Sequence, residues 1–550
     1  MSAPANPEGD VPVLRIRELT VALPPGADRA HAVEDIDLDV HAGEILCVVG
    51  ESGSGKSVTA QAVMGLLPRG QLRPVGGEIL LQGEDLLAAP RARLRGLRGS
   101  RMAMIFQEPM TALNPVMSIG RQIAEALTAH IRLTPRARRA RVLSLMESVR
   151  LAAPEHLYKA YPHQISGGQR QRVMIAMALA LEPVLLIADE PTTALDVTTQ
   201  ARILALIREI QAARDTGVLF ITHDFGVVAE IADRVAVMQS GRIVETGDAH
   251  QILSQPEHPY TRMLIGAVPS LAPAPRDTDD GAPVVLSTEG LSKTYSGHGL
   301  LRRQREVVAA KGVSIQVRRG QTLGIVGESG SGKSTVARCV MRLTDPTGGD
   351  ISLGGSDFGR LGARALWAAR KRVQIVFQDP YRSLNPRRTI GRSMTEGPIN
   401  YGMARAEARA RALELLALVG IERGAIDRYP HQFSGGQRQR ICIARALALE
   451  PELLVADEPV SALDVSVQAQ VLRLLDDVRR RYHLGMLFIT HDLRVAAQVC
   501  DTVAVMLAGE IVEHGPVAEV FERPSHDYTR RLLAAAPGRA WNFGASGVRE

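Results

Sequence analysis

One octapeptide, Gly-Glu-Ser-Gly-Ser-Gly-Lys-Ser, occurs twice in the chain, from Gly50 to Ser57 and again, unchanged, from Gly327 to Ser334. Its glycines let successive backbone N–H groups turn toward a polyphosphate with no Cβ in the way. Lys56 or Lys333 can reach the β and γ phosphates, and the hydroxyl of Ser57 or Ser334 can hold Mg2+. The flanks fit that reading. Glu44–Gly50 and Gln321–Gly327 read as short buried strands, and the residues after each lysine read as helices whose positive N-terminal ends face the phosphates. The chain has six lysines against 59 arginines, and two of the six stand at the phosphate position, where a compact ammonium serves better than a planar fork.

The repeat extends far beyond the octapeptide. The second copy trails the first by 277 residues at Lys56 and Lys333, by 271 at Gln107 and Gln378, and by 268 from Ser166 and Ser434 onward. A period of that length marks a duplicated domain rather than a solenoid, and 550 residues are too many for one core. The expected organisation is a first nucleotide-binding domain with its C-terminal appendix over 1–271, an exposed Pro- and Asp-rich linker over 272–283, a second domain with its appendix over 284–538, and a loose tail over 539–550.

Within the first half, alternating strands (VLRIRELTVAL, AVEDIDLDV) precede the cradle strand, so a small β layer should lead into an α/β core. The arginines between Pro90 and Arg101 read as a solvated face, since no aromatics interleave them. A mainly helical stretch over Ser118–Leu181 contains Ser166-Gly167-Gly168-Gln169, in which Ser166 reads as a helix N-cap and the glycines as donors of open amides to a second anion. The apolar strand VLLIADE then delivers Asp189 to a metal and Glu190 to a water, as general base. VLFITHD places His223 at the end of another apolar strand, read as a γ-phosphate contact. The second half repeats these features at Ser434-Gly435-Gly436-Gln437, Asp457, Glu458 and His491. Hairpins are expected around Ser240-Gly241 and Ala508-Gly509, each followed by a short appendix (PEHPYTRMLIGAVPS, RPSHDYTRRLLAAAP).

Other features exclude whole classes of protein. The longest uncharged apolar run, Val173–Leu181, is far short of a membrane span, and the N-terminus lacks a basic and then apolar leader. The four cysteines (Cys47, Cys339, Cys442, Cys500) are isolated in apolar segments, which suits buried thiols in a reducing cytosol. A net charge of +6 is too mild at this length to argue for nucleic acid.

Taken in order and in duplicate, these motifs resemble those of the ATP-binding-cassette ATPases over almost the full chain. Gly50–Ser57 and Gly327–Ser334 match the Walker A, Gln107 and Gln378 the Q-loop, and Ser166–Gln169 and Ser434–Gln437 the signature. Asp189 with Glu190 and Asp457 with Glu458 match the Walker B and catalytic glutamate, Asp196 and Asp464 the D-loop, His223 and His491 the switch histidine. The resemblance implies an α/β fold of two tandem P-loop NTPase domains, each with an N-terminal antiparallel β subdomain, a RecA-like core and a helical subdomain. It implies ATP and Mg2+ as cofactors. The nucleotide would meet Gly50, Ser52, Gly53, Ser54, Gly55, Lys56, Ser57 and Val58 in one half and Gly327, Ser329, Gly330, Ser331, Gly332, Lys333, Ser334 and Thr335 in the other. The metal would meet Ser57, Gln107 and Asp189, or Ser334, Gln378 and Asp457. Glu190, Glu458, His223 and His491 would be catalytic, in a head-to-tail sandwich where each cradle meets the other half's signature.

More narrowly, the segments TALNP and RSLNP, the YPHQ runs, IADEPTTALDV and the HPYT and HDYT appendices look like the oligopeptide and dipeptide importer branch, with two subunits fused. This implies an energy-coupling ATPase on the cytoplasmic face of the inner membrane, working with two integral-membrane permease subunits and an extracytoplasmic substrate-binding protein, with no nucleic acid and no homo-oligomer required. Relatives also serve nickel, glutathione and other small solutes. The alternative is a soluble double cassette acting on ribosomes or DNA. It fits less well, because the join is short and zinc-binding cysteine pairs are lacking. An inert scaffold conflicts with both carboxylate pairs. Two departures stand out. Tyr295 matches the aromatic that stacks adenine, but the first half has Leu23, so its site should bind nucleotide differently. No cysteine lies between Cys47 and Cys339, so the iron-sulfur centre of some relatives is not expected.

Overall fold

In each half, apolar residues alternate with polar ones along the early strands and run unbroken along the later ones, which separates a sheet with one wet face from a sheet covered on both. A computed structural model describes residues 11–193, 195–276, 281–296, 306–461 and 463–541. They form two compact units, one built mainly from the residues up to Gly266, the other mainly from Ala267–Ala536.

In the first unit the alternating strands form a four-stranded antiparallel sheet in the order His31–Val40, Leu14–Ala22, Arg73–Leu81, Glu84–Asp85. Ile36, Leu38 and Val40 share its buried face. The unbroken strands form a six-stranded sheet in the order Arg242–Asp248, Arg234–Gln239, Ile45–Val49, Gly217–Thr222, Leu185–Asp189, Met102–Ile105. All are parallel except the edge strand Arg242–Asp248. That strand returns through Ser240 and Gly241, whose φ values of 49° and 92° give the mirrored turn suited to tight hairpins. Val33, Ile36, Val48, Ile187 and Ile221 belong to one buried cluster.

This topology brings four strand ends, Val49, Ile105, Asp189 and Thr222, to the carboxyl edge of one parallel sheet, where ligands bind in open α/β folds. Beside it pack the helices Ile119–Thr128, Pro135–Ser148 and Gly167–Ala178. Ile119, Ile123 and Leu127 recur at one-turn spacing and are fully buried.

The second unit repeats the plan. Its antiparallel sheet runs Glu306–Arg318, Val284–Ser296, Gly348–Leu353, Ser356–Asp357, and its six-stranded sheet runs Val373–Val376, Leu453–Asp457, Gly485–Thr490, Thr322–Val326, Thr502–Leu507, Glu510–Pro516. The matching helices are Ile390–Asn400, Arg405–Leu418 and Gly435–Leu447. Ala508 and Gly509 turn the hairpin with φ of 48° and 91°.

The segment expected to be an exposed linker departs from that expectation. Ala274 N–H donates to Ala497 O (3.1 Å), and Gln498 Nε2 donates to Ser270 O and Ala272 O (2.9 Å each). Arg276 is 9% exposed at its side chain and pairs with Asp476 (3.3 Å) and Asp501 (3.5 Å). A buried pair is expensive to break, so Leu271–Arg276 is a strap on the second unit. Residues 277–280 of the linker, and 542–550 of the expected tail, lie outside the described residues.

All four cysteines are buried free thiols. Among the described residues no helix is long and apolar enough to cross a membrane.

Candidate functional site

In each unit the loop after the central strand wraps around its own lysine. Lys56 Nζ donates to Gly50 O (2.7 Å) and Glu51 O (2.9 Å), and Lys333 Nζ to Gly327 O (2.7 Å) and Glu328 O (2.8 Å). Both lysines are about nine-tenths buried or more, at 6% and 5% exposure. Burial lowers the Lys333 pKa against the pull of the carboxylates around it, the condition of a cation short of counter-charge. Two glycines are required by geometry. At Gly50 φ is +153° and a Cβ would lie 2.2 Å from Met238 O; at Gly327 φ is +151° and the Cβ would lie 2.2 Å from Met506 O. Ser52, Gly53, Ser329 and Gly330 are exposed at the mouth of the loops, while Ser54, Gly55, Ser331 and the lysines are not. Ser331 Oγ is buried with no hydrogen-bond partner. An orphaned hydroxyl in a cradle that Cβ atoms would fill fits a polyphosphate. The helices Lys56–Val63 and Lys333–Val340 start here, carrying Val58 and Thr335 in their first turns.

The carboxylates close one side. Ser57 Oγ donates to Asp189 Oδ1 (3.0 Å) and Ser334 Oγ to Asp457 Oδ1 (3.1 Å). This hard oxygen pair suits Mg2+. Glu190 follows with a backbone φ of 45° and Glu458 with 49°, the left-handed region that costs a non-glycine residue about 1–2 kcal/mol. The Glu190 carboxylate accepts from Gln107 Nε2 (2.7 Å) and Thr193 Oγ1 (3.0 Å) and meets His223 Nδ1 (3.1 Å). Glu458 accepts from Gln378 Nε2 (2.9 Å) and meets His491 Nδ1 (3.1 Å).

Neighbouring carboxyls are thereby driven apart. Burial raises Asp189 to about 6, against the hydrogen bond from Ser57, with the charge of Glu190 adding to the rise. Burial also pushes Glu190 upward, but the hydrogen bond and charge of His223, with Thr193 and Lys56, outweigh it and hold Glu190 at about 2. Asp457 and Glu458 shift in the same opposite directions. His491 is raised, its Glu458 partner outweighing burial.

The sequence thus predicts a cluster, and the fold assembles one in each unit from the cradle, Gln107, Asp189, Glu190 and His223, and from their counterparts. The Ser166–Gln169 and Ser434–Gln437 segments make none of their described hydrogen bonds to the cradle of their own unit. Ser166 and Ser434 are helix N-caps, and the bonds that cap them engage the amides of Ser166, Gln169, Ser434 and Gln437 rather than those of the glycines. Ser166 Oγ accepts from Gln169 N while Gln169 Oε1 accepts from Ser166 N, and Ser434 and Gln437 do the same, a reciprocal capping box. The second glycine of each serves packing: a Cβ on Gly168 would lie 2.7 Å from Thr199 Cγ2, and one on Gly436 2.2 Å from Val467 Cγ1.

Tyr295 lies near the end of the strand Val284–Ser296, 39% exposed, with Lys293 Nζ 5.1 Å from its ring centroid. Leu23 takes the equivalent register, its N–H bonded to Ala30 O (2.9 Å) as Tyr295 pairs with Val307. Sequence reasoning passed over Arg29, whose Nη2 donates to Gly53 O of the first cradle (2.5 Å).

It also missed two tyrosines. Tyr260, on the helix Pro259–Gly266, accepts from Glu51 N (3.2 Å) and donates to Glu51 Oε2 (3.3 Å). Tyr528, on Asp527–Ala534, accepts from Glu328 N (3.0 Å). Both are buried, and burial pushes Tyr528 up to about 12. Each appendix therefore reaches the second residue of a cradle. The signal was available, because the two tyrosines are 268 residues apart, like the carboxylates. Tyr528→Phe keeps the ring and removes the acceptor, so ATP binding at the second site should weaken by about 2- to 10-fold, from roughly 0.5–1.5 kcal/mol per net hydrogen bond. Titration with a fluorescent ATP analogue checks this, and unchanged affinity would remove the positioning role.

A family model described as "ABC transporter" matches residues 33–193 and 310–461, and one described as "Oligopeptide/dipeptide transporter, C-terminal region" matches 244–291 and 512–540. Both tyrosines fall in the latter. The chain is 47% identical over 529 residues to the Peptidoglycan transport ATP-binding protein YejF of Agrobacterium fabrum, covering 96% of each. It is 46% identical to the Glutathione import ATP-binding proteins GsiA of Pectobacterium atrosepticum (561 residues) and Escherichia coli K12 (557 residues), covering 96% of this chain and 89% of each of those.

Proposed function

Because the chain belongs to the ATP-binding proteins of ABC transporters and is an ATPase with two fused cassettes, we propose that it powers import of di- or oligopeptide-like solutes through separate membrane permeases. The observation that carries the reading is the complete nucleotide constellation in both units, each with the peptide-transporter C-terminal region whose tyrosine is bonded to the cradle. The names of the relatives, glutathione import and peptidoglycan transport, point to the same class of cargo.

Lys56 and Lys333 would exchange their loop carbonyls for phosphate oxygens as ATP enters. Ser57, Asp189 and Gln107, and Ser334, Asp457 and Gln378, would hold Mg2+, which supplies positive charge to the β and γ phosphates. Glu190 and Glu458 would orient and deprotonate the attacking water, once released from part of the hydrogen bonding that keeps them weak bases. His223 and His491 would hold these carboxylates and the γ-phosphate in register. From the family resemblance, each cradle would be completed by the signature of the other cassette, adding the donors that neither has alone. The site of action would be the cytoplasmic face of the inner membrane, with an extracytoplasmic binding protein delivering cargo.

The test is purification from native membranes, with co-eluting proteins identified and ATP hydrolysis assayed with and without dipeptides and binding protein. Two permease subunits and peptide-stimulated turnover are expected. Ribosomal proteins or nucleic acid in their place would overturn the proposal.

A further inference from the structure

Each appendix joins its cradle to the edge hairpin through a histidine. In the first unit the Glu245 carboxylate accepts from Glu257 N (2.7 Å) and His258 N (3.1 Å), His258 Nδ1 accepts from Tyr260 N (3.2 Å), and the Tyr260 hydroxyl accepts from Glu51 N. In the second, the Glu513 carboxylate accepts from Ser525 N (2.6 Å) and His526 N (3.2 Å), His526 Nδ1 from Tyr528 N (3.1 Å), and the Tyr528 hydroxyl from Glu328 N. The sheet completes the circuit. Glu245 pairs with Val237, which pairs with Val49, the residue before Gly50; Glu513 pairs with Val505, and that with Val326, the residue before Gly327. The chain of bonds therefore starts and ends on the strand that carries the cradle.

What the circuit holds is the backbone on both sides of one residue. The N–H of Glu51 or Glu328 is held by the tyrosine, and its carbonyl by the cradle lysine (2.9 and 2.8 Å). Each tyrosine is buried, its oxygen placed by the start of its helix, and the histidine caps that start. A backbone N–H can only donate, so Nδ1 is the acceptor and the ring proton sits on Nε2. Between histidine and tyrosine the two copies differ, Pro259 against Asp527. Either suits a first helical position, proline by its fixed φ and aspartate by its charge. The glutamate, the histidine and the tyrosine, which make the bonds, are the same in both copies at one offset of 268.

We infer that His258 and His526 are positioning residues of the two ATP sites: as side-chain caps of the appendix helices they hold Tyr260 and Tyr528 against Glu51 and Glu328, and so tie each cradle to its hairpin edge. This rests on the ATPase activity and on no particular cargo. The effect of each histidine passes through its tyrosine, so it cannot exceed what the tyrosine bond contributes.

The experiment compares paired variants of the full chain by equilibrium binding of a fluorescent ATP analogue and by steady-state hydrolysis. Asparagine is a good cap residue, whereas glutamine is nearer to histidine in size but is not one. Space filling would favour glutamine, and capping favours asparagine. His258→Asn/His526→Asn is expected to bind the analogue within about twofold of wild type. His258→Gln/His526→Gln should bind it about 2- to 10-fold more weakly, from the loss of one net hydrogen bond per site, with turnover at saturating ATP within about twofold because Glu190 and Glu458 are untouched. Added to Tyr260→Phe/Tyr528→Phe, the glutamine pair should weaken binding no further, since both changes remove the same link. Full affinity in the glutamine pair, equal losses in the asparagine and glutamine pairs, or losses that add to those of the tyrosine pair overturn the inference and leave the ATPase standing. So does turnover lost at unchanged affinity. Should the glutamine pair not fold, His526→Asn and His526→Gln carry the same comparison at the second site. Wild-type protein that binds no ATP would overturn the ATPase reading itself.

Discussion

Glu190→Gln and Glu458→Gln are each expected to lower steady-state ATP turnover, and together to lower it by about 10²- to 10⁴-fold, the range for losing a positioned general base. The expectation rests on two copies of one geometry. Each glutamate stands at a positive φ, with its N–H donating to Ile221 O or Ile489 O (2.9 Å each), so the backbone fixes where the carboxylate points. Each carboxylate is met by a glutamine and a histidine from two other strand ends. An amide of the same size cannot accept from both, and it cannot take a proton from water. ATP should still bind, because the cradle and the serine–aspartate pair are untouched. Turnover measured beside equilibrium ATP binding separates the two steps. A single variant with wild-type turnover would show that only one of the two sites works; about half the turnover in each single and loss in the double would mean that the sites act independently.

Gly327→Ala should abolish ATP binding at the second site, while Gly330→Ala should weaken it by no more than about 30-fold. Both glycines lie in one loop at positive φ, yet they differ in what a methyl group would meet. At Gly327 it would lie 2.2 Å from the backbone oxygen of Met506, in a central strand that cannot yield; at Gly330 it would point into open space. The second change costs only the left-handed conformation, about 1–2 kcal/mol. The first adds a clash between backbones, which on the order of 3 kcal/mol or more must relieve by displacing the cradle. Isothermal titration with ATP decides it, and equal losses from the two substitutions would mean that conformation rather than space sets the glycine pattern.

Much of this site was legible because its parts are short and repeated. Asp189, Glu190 and His223 each end an apolar run, and parallel strands carry such ends to a common edge whatever the intervening loops do. What escaped was long-range and carried by single residues. Nothing local to HPYT or HDYT says that the tyrosine hydroxyl reaches a glutamate amide two hundred residues away, and Arg29 sits in a stretch of turns with no periodicity to place it. The signature glycines were read through their backbone freedom, whereas the second of each pair answers to a neighbouring helix. The linker misled in the same way. Proline and aspartate describe a segment that water can accept, but Arg276 found two carboxylates, Asp476 and Asp501, in a fold that the linker's own composition does not mention.

That strap also bears on the history of the fusion. Where two cassettes are made as separate polypeptides, each must end and begin cleanly. In this chain residues descending from the end of the first repeat complete the second, with Gln498 gripping Ser270 and Ala272 and Arg276 neutralising Asp501, whose side chain is 1% exposed. A gene cut at the repeat boundary would deprive the second cassette of one of the two buried cations, Arg276 and Arg479, that face its buried anion Asp501. Joining the genes has therefore ceased to be a matter of tethering alone, because one protein has borrowed structure from the other.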